Sequence, residues 1–181
     1  MRQKRVLQSG YSLVELLIVI AIMAVMVVIP VKMLTQNDHR TMLRQHVREV
    51  VAELFRIRNV AATLNHPMRL SIDIDEDDPA LYAMEVDFFD FALNDWQPDA
   101  SKAKIELERT YLAEIEDNGA AATFPLLFPF NANGIQLSTS DNSPTLSPRA
   151  ISFANKKTEG DIITLTLNPL GGIRVTDNFK D

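Results

Sequence analysis

Gln8-Ser9-Gly10-Tyr11-Ser12-Leu13-Val14-Glu15-Leu16-Leu17-Ile18-Val19-Ile20 is the stretch on which the reading of this 181-residue chain turns. A short leader carrying Arg2, Lys4 and Arg5 ends at a glycine, and an apolar run begins at once. One carboxylate, Glu15, falls on the fifth residue after that glycine. From Leu16 to Val31 there is no charged side chain. A run of this length with such uniform hydropathy predicts a helix that needs apolar surroundings on every side.

A cleaved secretory signal would place a small-residue site after its apolar region. Here the small pair Ser9-Gly10 comes before the run, and Pro30-Val31-Lys32-Met33-Leu34 beyond it offers no such site. A membrane anchor fits better. Tyr11 to Val31 would extend about 31 Å at about 1.5 Å per residue, against a hydrocarbon core of about 30 Å. The basic leader predicts a cytoplasmic N-terminus and an exported body. Pro30, a breaker in a soluble helix, is tolerated in a membrane helix as a kink. Glu15 then has two readings. It sits one turn inside the segment and can snorkel to the headgroups. Alternatively it waits for a cation inside the membrane, and a cut after Gly10 would create one, the α-amino group of Tyr11 on a neighbouring subunit.

Gly10-Tyr11-Ser12-Leu13-Val14-Glu15-Leu16-Leu17-Ile18-Val19-Ile20-Ala21-Ile22 resembles the N-terminal cleavage and methylation motif of type IV prepilins and type II secretion pseudopilins. The likeness covers about the first 30 residues, with Tyr11 standing where the family usually has phenylalanine. It implies that a prepilin peptidase cuts after Gly10 and methylates Tyr11, and that Glu15 serves subunit assembly. The implied partners are that peptidase, the inner membrane, and other pseudopilins or pilins met through the N-terminal helix.

Downstream, Leu43, Val47, Val50, Leu54, Ile57, Ala61 and Leu64 recur at steps of four and three. They predict an amphipathic helix whose apolar stripe packs on a sheet. The stretch from Val31 to Thr41 is compatible with a brief loop or with one continuous helix. Asn65 suits a left-handed C-terminal position, and Pro67 stops the helix. The period then changes to two: Met68–Ile74 and Tyr82–Phe88 predict an antiparallel hairpin around the acidic turn Asp75–Pro79. Phe89–Ala103 reads as a loop and Ile105–Leu112 as a third strand. Ala150–Ala154, Ile162–Leu167 and Ile173–Thr176 read as later strands. Asn131-Ala132-Asn133-Gly134 and Pro169-Leu170-Gly171-Gly172 are turn signals, and Ser138–Pro148 is a surface loop.

The expected architecture is α+β: a long N-terminal helix, first transmembrane and then amphipathic, packed on an antiparallel β-rich domain. This order resembles the pilin-like fold. Within it, the helix Ala52-Glu53-Leu54-Phe55-Arg56-Ile57-Arg58-Asn59-Val60-Ala61-Ala62 and the closing Leu165–Val175 resemble the pseudopilin H and FimT-type minor group. The expected divisions are residues 1–10 as a cleaved leader, 11–31 as the membrane stem, 32–66 as the helical extension and 67–181 as the β-rich domain.

Chemistry elsewhere is sparse. The chain has no cysteine, which removes disulfides, thiol nucleophiles and Cys-based zinc sites. His39, His46 and His66 fall in no metal-ligand spacing and are expected on the surface or in turns. The run Asp73–Asp78 lacks the glycine and terminal glutamate of an EF-hand loop, so a solvated turn is expected there. Phe88, Phe89, Phe91 and Trp96 form either a sticky patch or the filling under a long loop. No nucleotide-binding or nucleophile-elbow motif is present, so neither enzyme activity nor a cofactor is expected. After Gly10, 15 basic side chains face 24 acidic ones, a balance of −9 that argues against nucleic-acid binding. The expected function is a minor pseudopilin of a type II secretion system, in the bacterial inner membrane with its globular domain in the periplasm. The alternative is a FimT-like type IV minor pilin acting in pilus assembly or DNA uptake.

Overall fold

The computed structural model describes residues 12–112, 114–140, 142–155 and 160–179, without the side chains of residues 25–37. The chain divides into two compact units, residues 1–38 and 39–181. One helix, α1 (Leu13–Leu64), runs without a break through the stretch from Val31 to Thr41, so the continuous alternative holds.

In the larger unit, Leu43, Val47, Val50, Leu54, Ile57 and Ala61 are buried as the helical stripe predicts. Leu64 is the exception: it is exposed, because the helix ends there. Asn65 adopts a φ of 50°, and the His66 amide returns to the Ala61 carbonyl at 3.0 Å, a capping pattern that closes the last turn.

Among the described residues ten strands follow: β1 (Met68–Ile74), β2 (Leu81–Asp90), β3 (Asp95–Pro98), β4 (Ile105–Glu108), β5 (Glu114–Asp117), β6 (Ala120–Ala121), β7 (Leu126–Phe130), β8 (Arg149–Ala154), β9 (Ile162–Leu167) and β10 (Ile173–Asn178). They form two antiparallel sheets. The first runs β3-β2-β1-β7, with β4 also pairing to β2; the second runs β10-β9-β8-β5-β6. In the first, alternate residues of β1 stand in rank with both neighbours: Met68 with Phe88 and Phe130, Leu70 with Val86 and Phe128, Ile72 with Met84 and Leu126. These ranks without Phe88, together with Ile151, Phe153, Ile163, Leu165 and Leu167 of the second sheet and the buried α1 residues, form one core. The architecture is α+β with antiparallel sheets.

Three expectations change. Phe89–Ala103 is not all loop: Asp95–Pro98 forms β3 on β2, with Pro98 at its end, where an edge strand can do without an N–H. The strand expected over Ile105–Leu112 stops at Glu108, and Tyr111 and Leu112 turn back to the Glu108 carbonyl. The strands β5, β6 and β7 had no counterpart in the sequence reading.

Arg149 joins the two sheets. Its guanidinium pairs with Asp117 of β5, donates to the Leu127 carbonyl of β7 at 2.6 Å, and lies over the Phe128 ring.

Candidate functional site

Glu15 lies in the first turn of α1. Its amide and that of Leu16 donate to the Ser12 carbonyl at 3.0 and 3.2 Å, so Ser12 marks the helix start. A carboxylate in the first turn is favoured by the partial positive charge of a helix N-terminus. Leu13, Val14, Leu16, Leu17, Ile18, Val19, Ile20, Ile22 and Met23 are all about half exposed or more in the single chain. They surround the helix on every side, with Glu15 the one charge among them. Such a surface is stable only when lipid or other apolar surfaces cover it. Gly10 and Tyr11, expected to carry cleavage and methylation, lie outside the described residues. Among the described residues no helix is long and apolar enough to cross a membrane. The expected span 11–31 extends past them, because it includes Tyr11 and the side chains of residues 25–31.

The acidic turn holds a cation of the protein's own. Lys104 Nζ sits 2.8 Å from Asp75 Oδ2, and the Asp75 side chain is almost fully buried. The ammonium hydrogen bond, with help from the Asp77 amide, holds the Asp75 carboxyl below the usual carboxylate range; the same bond raises Lys104. Among the described residues no three His, Asp or Glu side chains gather as a metal set.

The histidines depart from expectation. His66 is in a turn, but His46 is buried, and it and His39 both pack on Tyr111, with ring centroids 5.9 and 5.5 Å away. Both face the returning chain after β4, whose turn at Tyr111 the sequence pattern concealed. Glu49 Oε2 is 3.5 Å from His46 Nδ1. A surface cleft of about 450 Å³ is edged by Ser138, Thr139, Ser143 and Ser147. Its one guanidinium, Arg149, is already committed to Asp117 and Leu127.

The aromatic patch is divided. Phe89 packs edge-on against both Phe91 and Trp96, with centroids 5.3 Å apart in each case. Phe91 and Leu93 project from the turn between β2 and β3, 68% and 64% exposed. Arg69 lies over Trp96 and pairs with Asp87, fixing the base of this hairpin. The sequence showed the aromatics but not the turn that presents them.

No curated protein and no solved structure matches the chain. Residues 5–29 match a family described as the prokaryotic N-terminal methylation motif, which spans Gly10, Tyr11 and Glu15. This N-terminal motif supports placing the chain among the type IV pilin-like proteins, with the processing by prepilin peptidase and assembly with other pilins that the motif implies.

Proposed function

We propose that the protein is a minor pseudopilin, a structural subunit of a type II secretion pseudopilus that supports protein secretion. The match of residues 5–29 to the methylation motif carries this reading. Prepilin peptidase cuts after Gly10 on the cytoplasmic side and methylates the new Tyr11 amine. The apolar stem holds the subunit in the inner membrane, with residues 39–181 in the periplasm. During assembly the stem leaves lipid for the packed stems of neighbouring subunits. There an unpaired carboxylate near the middle of a helix costs about 2.5–3.5 kcal/mol on insertion scales, and less near its end. The Tyr11 amine of a neighbour offsets that cost by pairing with Glu15. Methylation keeps the amine basic, so the pair survives it. The α+β architecture with antiparallel sheets agrees with a pilin-like fold, and within it we place the protein in the pseudopilin H and FimT-type group on its sequence pattern. The protein acts by assembly and needs no cofactor, and its acidic body disfavours nucleic acid as a ligand.

Two variants test the reading. Replacing Gly10 by a bulky residue leaves an unshortened band on a gel and no N-methylated Tyr11 by mass spectrometry. Glu15→Ala leaves membrane insertion and cleavage intact but lowers recovery in the sheared filament fraction by about tenfold, the equivalent of about 1.4 kcal/mol. Recovery at the unsubstituted level removes the role given to Glu15. A deletion strain that keeps protein secretion but loses pili or DNA uptake assigns the protein to a type IV pilus instead.

A further inference from the structure

Two complementary surfaces stand at opposite ends of the larger unit. The first is the β2–β3 turn, where Phe91 and Leu93 are exposed between Asp90 and Asp95. Its shape is fixed before any partner arrives. Asp90 Oδ1 accepts from the amides of Ala92 and Leu93 at 2.8 and 3.3 Å, and Asp95 Oδ1 accepts from Trp96 at 2.7 Å. Phe91 is braced edge-on by Phe89 and His66, both with centroids at 5.3 Å. Among the described residues neither carboxylate has an ion-pair partner. A rigid apolar tip loses little entropy on docking.

The second surface is a groove of about 350 Å³ between the flank of α1 and strands β9 and β10. Val47, Val51, Ile163 and Val175 line it, with Arg44 and Arg48 on its rim. Among the described residues strand β10 pairs only with β9 and stands at the sheet edge, and Val175 is 42% exposed beside the helix. Arg44 is tied to Asp177 at 3.2 Å, whereas the exposed Arg48 has no ion-pair partner among the described residues. An apolar floor with a free cation on its rim matches an apolar tip flanked by carboxylates.

A subunit cannot fill its own groove. Phe91 touches His66, just past the end of α1, while the groove is centred near Arg48, roughly 27 Å back along the helix at 1.5 Å per residue. We propose that the Phe91–Leu93 tip of one copy seats in the Arg48 groove of the next. The contact joins two different patches, so it repeats along a line and does not close into a dimer. It rests on the filament-subunit reading only in needing copies to meet. The carboxylates beside the tip favour this occupant over an anionic membrane surface. A contact of this size is weak, and a raised protein concentration increases its occupancy.

The chain has no cysteine, so cross-linking is directly readable. Leu93→Cys labels the tip and Ala52→Cys the exposed groove wall, both outside the core. The full-length chain in detergent solution, where copies are free to stagger along their helices, is oxidised with copper phenanthroline in air and is expected to form a ladder when it carries both substitutions. A mixture of the two single variants is expected to stop at dimers, and each single variant alone to remain monomeric. Adding Arg48→Glu to the double variant should reduce the ladder at least about tenfold, and Asp95→Arg on top of it should restore the ladder. Failure of the double variant to cross-link overturns the proposal. So do dimers of Leu93→Cys alone that equal those of the mixture, or an Arg48→Glu effect that Asp95→Arg does not reverse. Neither cleavage nor a filament is required, so processing failure is separately visible as the unshortened band.

Discussion

Gly171 shows how one residue can fix two turns and a helix together. Its φ of 77° is in the left-handed region, and a Cβ there would fall 2.3 Å from the Gly134 carbonyl oxygen and 2.5 Å from Arg58 Nε. Arg58 itself donates from α1 to the Gly134 and Leu170 carbonyls, both at 3.2 Å, tying the helix to the turns before β10 and after β7. Gly171→Ala is expected to lower unfolding free energy by about 1–3 kcal/mol in urea titration. Gly119 provides the control: its φ is 81°, but a Cβ meets nothing within 4 Å, so Gly119→Ala should cost only about 1 kcal/mol. Equal losses in the two variants would show that the close approach at Gly171 contributes nothing. Asp75 and Lys104 give a pH dependence at the same scale. Because the folded carboxyl is lowered by Lys104, its contribution is full above the unfolded value of about 3.9 and fades as pH falls through the lower folded value. Because the folded ammonium is raised by Asp75, its contribution is full below about 10.4 and fades as pH rises through the higher folded value. Unfolding free energies of the unsubstituted protein and Lys104→Met should therefore differ at pH 7 and converge toward pH 2. A gap that stays constant into acid would sink this account.

At the scale of elements, the contact between sheets depends on Arg149. It is mostly buried, and its donors reach a carboxylate in one sheet and a carbonyl in the other. Arg149→Met keeps the aliphatic stem over Phe128 but leaves Asp117 without its cation. The expected loss is about 1–3 kcal/mol, since Asp117 retains some access to water. Thermal melts followed by circular dichroism check it, and an unchanged midpoint would remove Arg149 from the sheet contact. Sequence pattern captured elements that carry their own period. The α1 stripe from Leu43 to Ala61 is buried at its helical spacing, and β1 and β9 alternate between buried and half-buried positions over most of their length. Elements fixed by their partners were hidden. Strand β3 is four residues of mixed polarity, held by pairing with β2 and by Arg69 over Trp96. Strand β7 holds Pro129 within an unbroken apolar run, Leu126-Leu127-Phe128-Pro129-Phe130, so it shows no alternation. One local signal for β5 and β6 was available: Asn118-Gly119, with φ of 53° and 81°, is the two-residue turn between them. At the N-terminal site, Glu15 and the apolar residues around it were legible from spacing alone. The Phe91–Leu93 tip was not, because the turn that exposes it follows from β3.

For the whole molecule, the chain divides into residues 1–38 and 39–181. Among the described residues, every member of the buried core belongs to the second unit, beginning with Leu43. The contacts that hold the start of that unit lie within it as well: Arg40 pairs with the buried Asp161 at 2.8 Å, and Arg44 and Phe179 meet at 4.3 Å. Hydrophobic stabilisation scales with the apolar surface removed from water, and the described core that removes it lies within residues 39–181. A chain beginning at Asp38 should therefore unfold in one cooperative step, within a few degrees of the full-length protein in detergent. Scanning calorimetry checks this directly. A broad transition, or a midpoint lowered by ten degrees or more, would mean that the stem stabilises the domain and does more than anchor it. Arg40→Ala in the shortened chain should then lower the midpoint, because it leaves the Asp161 carboxylate buried without its cation, a change of about 1–3 kcal/mol.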